Sequence, residues 1–276
     1  MRSSIALSVF LAASVLAGCQ TTTATTEESC DAYNKKRHLR IWANNQCMVI
    51  RAYGKPAAGN AMVVFLHGDT KVVADYMSGS ARQFRGKGVV GAALIRPGYS
   101  DSYGDFTPGR NNTRGGHYGS EGEAAAIKAL KDHYKADYVI LAGRSGGSAV
   151  AGVIIGKYPG LVDAVVLGAC PCNVGEWRSY RGWGGYNLSP SPHEFAGSMA
   201  KNAKIVAITG SNDKNTPPIL AKGYVNDLKE NGVDATFIEL PGEGHSSIEN
   251  TSEYLKAIDE ILKAAGRVPP PRKFVF

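Results

Sequence analysis

Ser145 stands in Gly143-Arg144-Ser145-Gly146-Gly147, between the apolar run Tyr138 to Ala142 and a stretch rich in small residues. That is the G-x-S-x-G pattern in a strand-to-helix setting, which lifts a serine hydroxyl above a sheet edge. Glycines two before and two after relieve the crowding of so sharp a turn. A serine hydroxyl is a weak nucleophile and needs a base. His245, in Pro241-Gly242-Glu243-Gly244-His245, follows the last apolar run and is the best placed of six histidines. Asp213, in Gly210-Ser211-Asn212-Asp213, follows another apolar run and supplies a carboxylate to orient the base. Two amides are candidates for holding a developing oxyanion. One is the N–H of Gly146, at a helix start; the other is that of Asp69, in His67-Gly68-Asp69. Together these residues would perform acyl transfer, with no metal or organic cofactor required.

The elements that must position them alternate. Apolar runs at 46–52, 61–66, 88–95, 138–142, 163–168, 204–209 and 235–240 read as strands. Helical patterns cover about 72–85, 120–134, 145–158, 217–231 and 251–265. Ser120 and Glu123 match a capping box, and Thr216-Pro217 match an N-cap with proline in the first turn. Ile219, Leu220, Tyr224 and Leu228 would line the buried face of that helix. The expected fold class is α/β: a mostly parallel central sheet with helices on both faces and a short lid at about 171–200. Such sheets carry ligands at the carboxyl ends of their strands, where all the candidate residues fall. The lid holds Trp177, Arg178, Tyr180, Arg181, Trp183, Tyr186 and His193, suited to stacking on a ring and holding a carboxylate, or to packing on one another.

The HGD segment, Arg96-Pro97-Gly98-Tyr99-Ser100-Asp101-Ser102, the GRSGG elbow, GSND and PGEGH occur in an order that resembles the α/β-hydrolase superfamily, from about Cys47 to Ala265. Gly147, the segment Asp213 to Pro218 and the closing PGEGH are similar to the prolyl-oligopeptidase branch. Arg144 departs from the residues usual before the nucleophile. The resemblance implies a serine hydrolase with triad Ser145, Asp213 and His245, cleaving a carboxylic ester through an acyl-enzyme. A peptidase with the same triad and a non-catalytic envelope-binding protein on the same scaffold are the alternatives. The partner is a small-molecule or peptide acyl substrate.

Residues 1–18 read as an export signal: Arg2, an apolar stretch from Ile5 to Leu16, then Leu16-Ala17-Gly18-Cys19. That ending resembles a bacterial lipobox, which implies lipidation of Cys19 and a membrane anchor. Gln20 after it favours the periplasmic side of the outer membrane, by resemblance to enterobacterial sorting. Residues 19–29 read as a polar tether, and 30–276 as one domain. Four further cysteines, Cys30, Cys47, Cys170 and Cys172, are in a compartment that permits disulfides. Cys30 with Cys47 is the favoured pair, and the other two alternatives stay open. The net charge of +7 includes the cluster Lys35 to Arg40. No nucleic-acid module accompanies it, so the basic balance reads as a solvated face, with contact to anionic lipid or another acidic surface as the alternative. Composition does not reach the substrate or the oligomeric state.

Overall fold

The computed structural model describes residues 26–32, 39–71, 73–109, 120–184 and 189–271. The signal segment, Cys19, His38, His117 and Tyr186 lie outside them. Eight strands form one sheet: β1 Leu39–Ala43, β2 Gln46–Tyr53, β3 Asn60–Leu66, β4 Val89–Ile95, β5 Ala136–Arg144, β6 Ala164–Gly168, β7 Lys204–Gly210 and β8 Asp234–Leu240. Their order is β1-β2-β4-β3-β5-β6-β7-β8. From β4 to β8 every pairing is parallel; β1 and β2 form an antiparallel hairpin that joins β4. This is the mostly parallel sheet expected from the alternating elements.

The helices are α1 Glu27–Ala32, α2 Ser78–Gln83, α3 Glu121–Tyr134, α4 Gly146–Lys157, α5 Val174–Tyr180, α6 Pro218–Glu230 and α7 Ser252–Ala264. Strand alternation splits the core between two faces. Met62, Val64 and Leu66 of β3 pack with α3, α4 and α6, whereas Val63 and Phe65 pack with α2 and α7. Every residue of β3 and β4 is buried, as strands covered on both faces must be.

Several local expectations are corrected. The tether was expected to run to Ser29, but Thr26 and Ser29 bond each other across the first turn of α1. The favoured pairing, by contrast, is the one observed: Cys30 in that helix is bonded to Cys47 of β2, and Cys170 to Cys172 after β6. Arg40, read as part of a solvated cluster, is buried in β1 and paired with Asp105. The helix expected over about 72–85 is a 3-10 turn, Asp75–Met77, followed by the short α2. Ser120 makes no side-chain cap; the carboxylate of Glu121 accepts from its amide, while Glu123 is buried beside Arg96. Pro217, not Thr216, is the N-cap of α6, and Ile219 is 72% exposed rather than buried. Leu220, Tyr224 and Leu228 do line its buried face.

Candidate active site

The turn from β5 to α4 places Ser145 at φ 51°, ψ −121°, backbone that a residue with a side chain rarely adopts. Packing enforces it. A Cβ on Gly143 would lie 2.6 Å from the Gly147 carbonyl oxygen and from Ser148 Cα. A Cβ on Gly147 would fall on the carbonyl oxygens of Leu66 and His67 at the end of β3. Around the turn, the Ser145 amide donates to Gly168 O at 2.8 Å, and the buried Tyr254 hydroxyl donates to Gly143 O at 2.9 Å. Gly146 begins α4, so its amide is among those a helix leaves without an internal acceptor.

Three separate strand ends converge here. Ser145 Oγ lies 3.0 Å from His245 Nε2, and His245 Nδ1 lies 2.9 Å from Asp213 Oδ2. Asp213 is buried, and its Oδ1 accepts from the amides of Asn215 and Thr216, each at 2.8 Å. Burial alone would raise its pKa. The hydrogen bond and charge of His245, with the bonds from Thr216, overcome that and hold the carboxyl below its usual range.

Thr216, which the sequence reading treated only as a helix cap, is a fourth member of this group. Its hydroxyl oxygen lies 2.8 Å from Asp213 Oδ2, 3.1 Å from His245 Nδ1 and 3.0 Å from Ala169 O. The hydroxyl has one proton for the two oxygens, and its own oxygen stands beside the imidazole nitrogen that faces Asp213. A threonine three residues after Asp213 is the signal the sequence carries; the direction of its hydroxyl is not in the sequence.

The HGD loop is built from beneath. The Arg96 amide donates to His67 Nε2 at 2.9 Å, so Nδ1 carries the ring proton and donates to Gly68 O at 2.7 Å. Burial, and then the nearby Arg96 charge, lower the His67 pKa to about 3, keeping the ring neutral. The Arg96 guanidinium donates to His67 O at 2.9 Å and Asp69 Oδ1 at 3.1 Å, and Tyr99 donates to the same carboxylate. Gly68 faces Ser145: a Cβ there would come within 3.1 Å of Ser145 Cβ. Its amide donates to Tyr76 Oη at 2.7 Å.

Arg144 ties these parts together. Its Nε pairs with the buried Glu249 at 3.2 Å, Nη2 donates to His245 O at 3.2 Å, and Nη1 reaches Tyr76 Oη at 3.3 Å. The residue that departs from the usual pattern therefore links the Ser145 turn to the His245 loop and, through Tyr76, to the Gly68 amide.

The segment expected to form a lid holds two short helices on either side of 185–188, which lie outside the described residues: α5, and a 3-10 stretch Pro192–Ser198. Trp177 Nε1 donates to Asn215 O at 2.9 Å, and Trp177 meets Trp183 edge-on at 5.1 Å. Much of the lid thus packs on itself and on the Asp213 loop. His193 turns to Ser191 at 2.8 Å.

Among solved structures the chain resembles an acylaminoacyl peptidase of Pyrococcus horikoshii, with a TM-score of 0.61 and 15% identity. That likeness covers 87% of this chain and 42% of the peptidase, so the chain spans under half of that protein's length. It also resembles esterase 2 of Thermogutta terrifontis, with a TM-score of 0.63 and 17% identity, over 84% of this chain and 94% of the esterase. No curated protein matches the sequence. Residues 110–264, which hold the elbow, the Asp213 loop and the His245 loop, match the prolyl oligopeptidase family. The strand order, the serine at its elbow and this match lead to one assignment: the chain belongs to the prolyl oligopeptidase family and is an α/β-hydrolase serine hydrolase.

Proposed function

We propose that the protein cleaves a carboxylic ester with Ser145 as nucleophile, His245 as general base and acid, and Asp213 as the group that orients the base. The observation that carries this reading is the unbroken relay from Ser145 Oγ to His245 to Asp213, at 3.0 and 2.9 Å, on the strained turn. Ser145 Oγ attacks the acyl carbon as His245 Nε2 takes its proton. The charge on the carbonyl oxygen is held by the amides of Asp69 and Gly146, each worth roughly 3 kcal/mol of barrier. The C–O bond breaks as His245 returns the proton to the leaving alkoxide. Water, deprotonated by the same imidazole, then releases the acid and restores Ser145.

The likeness to esterase 2 along nearly its whole length supports ester over amide. The family match supports peptide cleavage as the second reading. Comparing turnover of an aryl ester with that of an aminoacyl amide separates the two. The triad itself is tested with a fluorophosphonate on the parent and on Ser145→Ala, locating the adduct by mass spectrometry. An adduct on Ser145 of the parent alone is expected. A folded parent that takes none would leave a binding protein on this scaffold.

The reading includes an anchor: export, lipidation of Cys19 and residence in the cell envelope, at the periplasmic side of the outer membrane. It rests on the lipobox-like Leu16 to Cys19 and on Gln20. Incorporation of a fatty-acid analogue into the parent and not into Cys19→Ala, followed by membrane fractionation, tests it.

A further inference from the structure

Six large apolar side chains are exposed among the described residues: Val73, Tyr76, Tyr103, Tyr180, Ile219 and Val268. Five of them follow the carboxyl ends of strands. Val73 and Tyr76 come after β3, Tyr103 after β4, Tyr180 after β6 and Ile219 after β7. That edge is the one where Ser145 opens. Only Val268 is elsewhere, next to Arg267, which bonds Gly59 O at the opposite end of β3. Chance exposure would scatter such residues singly over the surface.

The loops bearing them are fixed. The Ala74 amide donates to Ser100 O at 2.8 Å, and Ser102 Oγ donates to Asp75 at 2.6 Å, joining the Val73 loop to the Tyr103 loop. The exposed charges on the same segments, 67–76, 99–107, 174–184 and 211–219, are mostly cationic: Lys71, Arg181 and Lys214 against Glu176. The half-buried carboxylates there, Asp69, Asp75 and Asp105, are paired with Arg96, Arg51 and Arg40.

The chain also enters the domain at this edge. β2 runs antiparallel to β4, with Val49 opposite Ile95, so Cys47 lies at the carboxyl end of β4. Cys30 is bonded to it. Thr26 stands seven positions after Cys19, and seven residues reach at most about 25 Å. An acyl group on Cys19 would hold the catalytic edge, and not its opposite, near the bilayer.

We infer that this edge seats on an anionic lipid bilayer, its apolar side chains entering the interface and its cations meeting the headgroups, so that Ser145 takes apolar acyl esters from the membrane surface. The inference rests on the hydrolase and anchor readings above and adds the substrate class and the docking face. Apolar area and cationic charge are the two terms that bind a protein peripherally to such a surface.

The test uses the full anchored chain in vesicles of phosphatidylcholine alone or mixed with phosphatidylglycerol, followed by hydrogen exchange. Amides at 73–76, 100–107 and 214–220 should exchange about tenfold more slowly on the anionic vesicles, while those around Gly160 and Val268 stay unchanged. Salt at about 1 M, where screening acts within about 3 Å, should remove the difference. The variant V73S/Y103S/I219S should turn over a soluble short-chain aryl ester like the parent, but an ester dispersed in anionic vesicles about tenfold more slowly. Equal exchange on both vesicle types, protection at the Val268 edge, or equal loss on both esters overturns the inference. A missing Ser145 adduct with the footprint present sinks the hydrolase reading and the substrate class with it, leaving only the docking face; an adduct without the footprint sinks this inference alone.

Discussion

The Arg144 guanidinium donates to the main-chain oxygen of His245 at 3.2 Å, so the residue before Ser145 holds the loop that carries His245. Glu249 fixes that guanidinium from behind. Arg144→Lys keeps a cation for Glu249 but loses the fork that reaches three groups at once. Its kcat should fall about tenfold with KM within about twofold, since misplacing a base costs rate rather than binding. Steady-state kinetics beside a thermal melt checks this; an unchanged kcat in a folded variant would remove Arg144 from any positioning role.

Thr216 sits against both Asp213 and His245. Thr216→Val keeps the shape but takes away the hydroxyl that steadies the carboxylate. Turnover should drop by roughly tenfold and stability by about 1–2 kcal/mol, the scale of a lost hydrogen bond to a charged group. Thr216→Ser should restore most of both. Equal kinetics for Val and Ser would show that only the volume of this side chain matters.

Glu123 gives a pH dependence of defined sign. Burial, partly offset by Arg96, raises its carboxyl from 4.5 to about 7. The folded protein therefore holds a proton that the unfolded chain has released between those values. The stability this adds is complete below about pH 4.5 and is lost as pH rises towards about 7. Denaturant melts at pH 5 and 8 should show Glu123→Gln flattening the fall from this group. A parallel fall in both proteins would assign it elsewhere.

The Cys30–Cys47 bond closes a loop of sequence separation 17. Loops near that size restrict the unfolded chain by roughly 3 kcal/mol. Cys30→Ser with Cys47→Ser should lower the melting temperature by several degrees and leave kcat for a soluble ester unchanged, because neither cysteine touches the relay. A loss of kcat at a temperature where the variant is fully folded would contradict that separation.

The strands were legible because doubly covered β3 and β4 are apolar runs, Asn60 at the start of β3 apart, and the elbow because its glycines are forced by backbone contact. Ser145, Asp213 and His245 could be ordered along the chain because each follows its own strand. What stayed hidden depends on partners distant in sequence. Arg40 looks like one charge in a basic cluster until Asp105 reaches it across 65 positions. Glu123 satisfies a capping pattern, yet the Arg96 side chain sits beside it in the core. Thr216 reads as a cap because local rules describe backbone amides, and its hydroxyl answers to His245 instead. Ile219 reads as core by helical spacing but lies on the first turn of α6, at the open edge of the sheet.

Ser145 at φ 51° has a selective consequence. Glycine suits that backbone far better than any residue with a side chain. A mutation to glycine would relax the turn and stabilise the fold while abolishing the nucleophile, the exchange expected where activity and stability conflict. A lineage that had ceased to use this hydroxyl would have a short, downhill route to losing it.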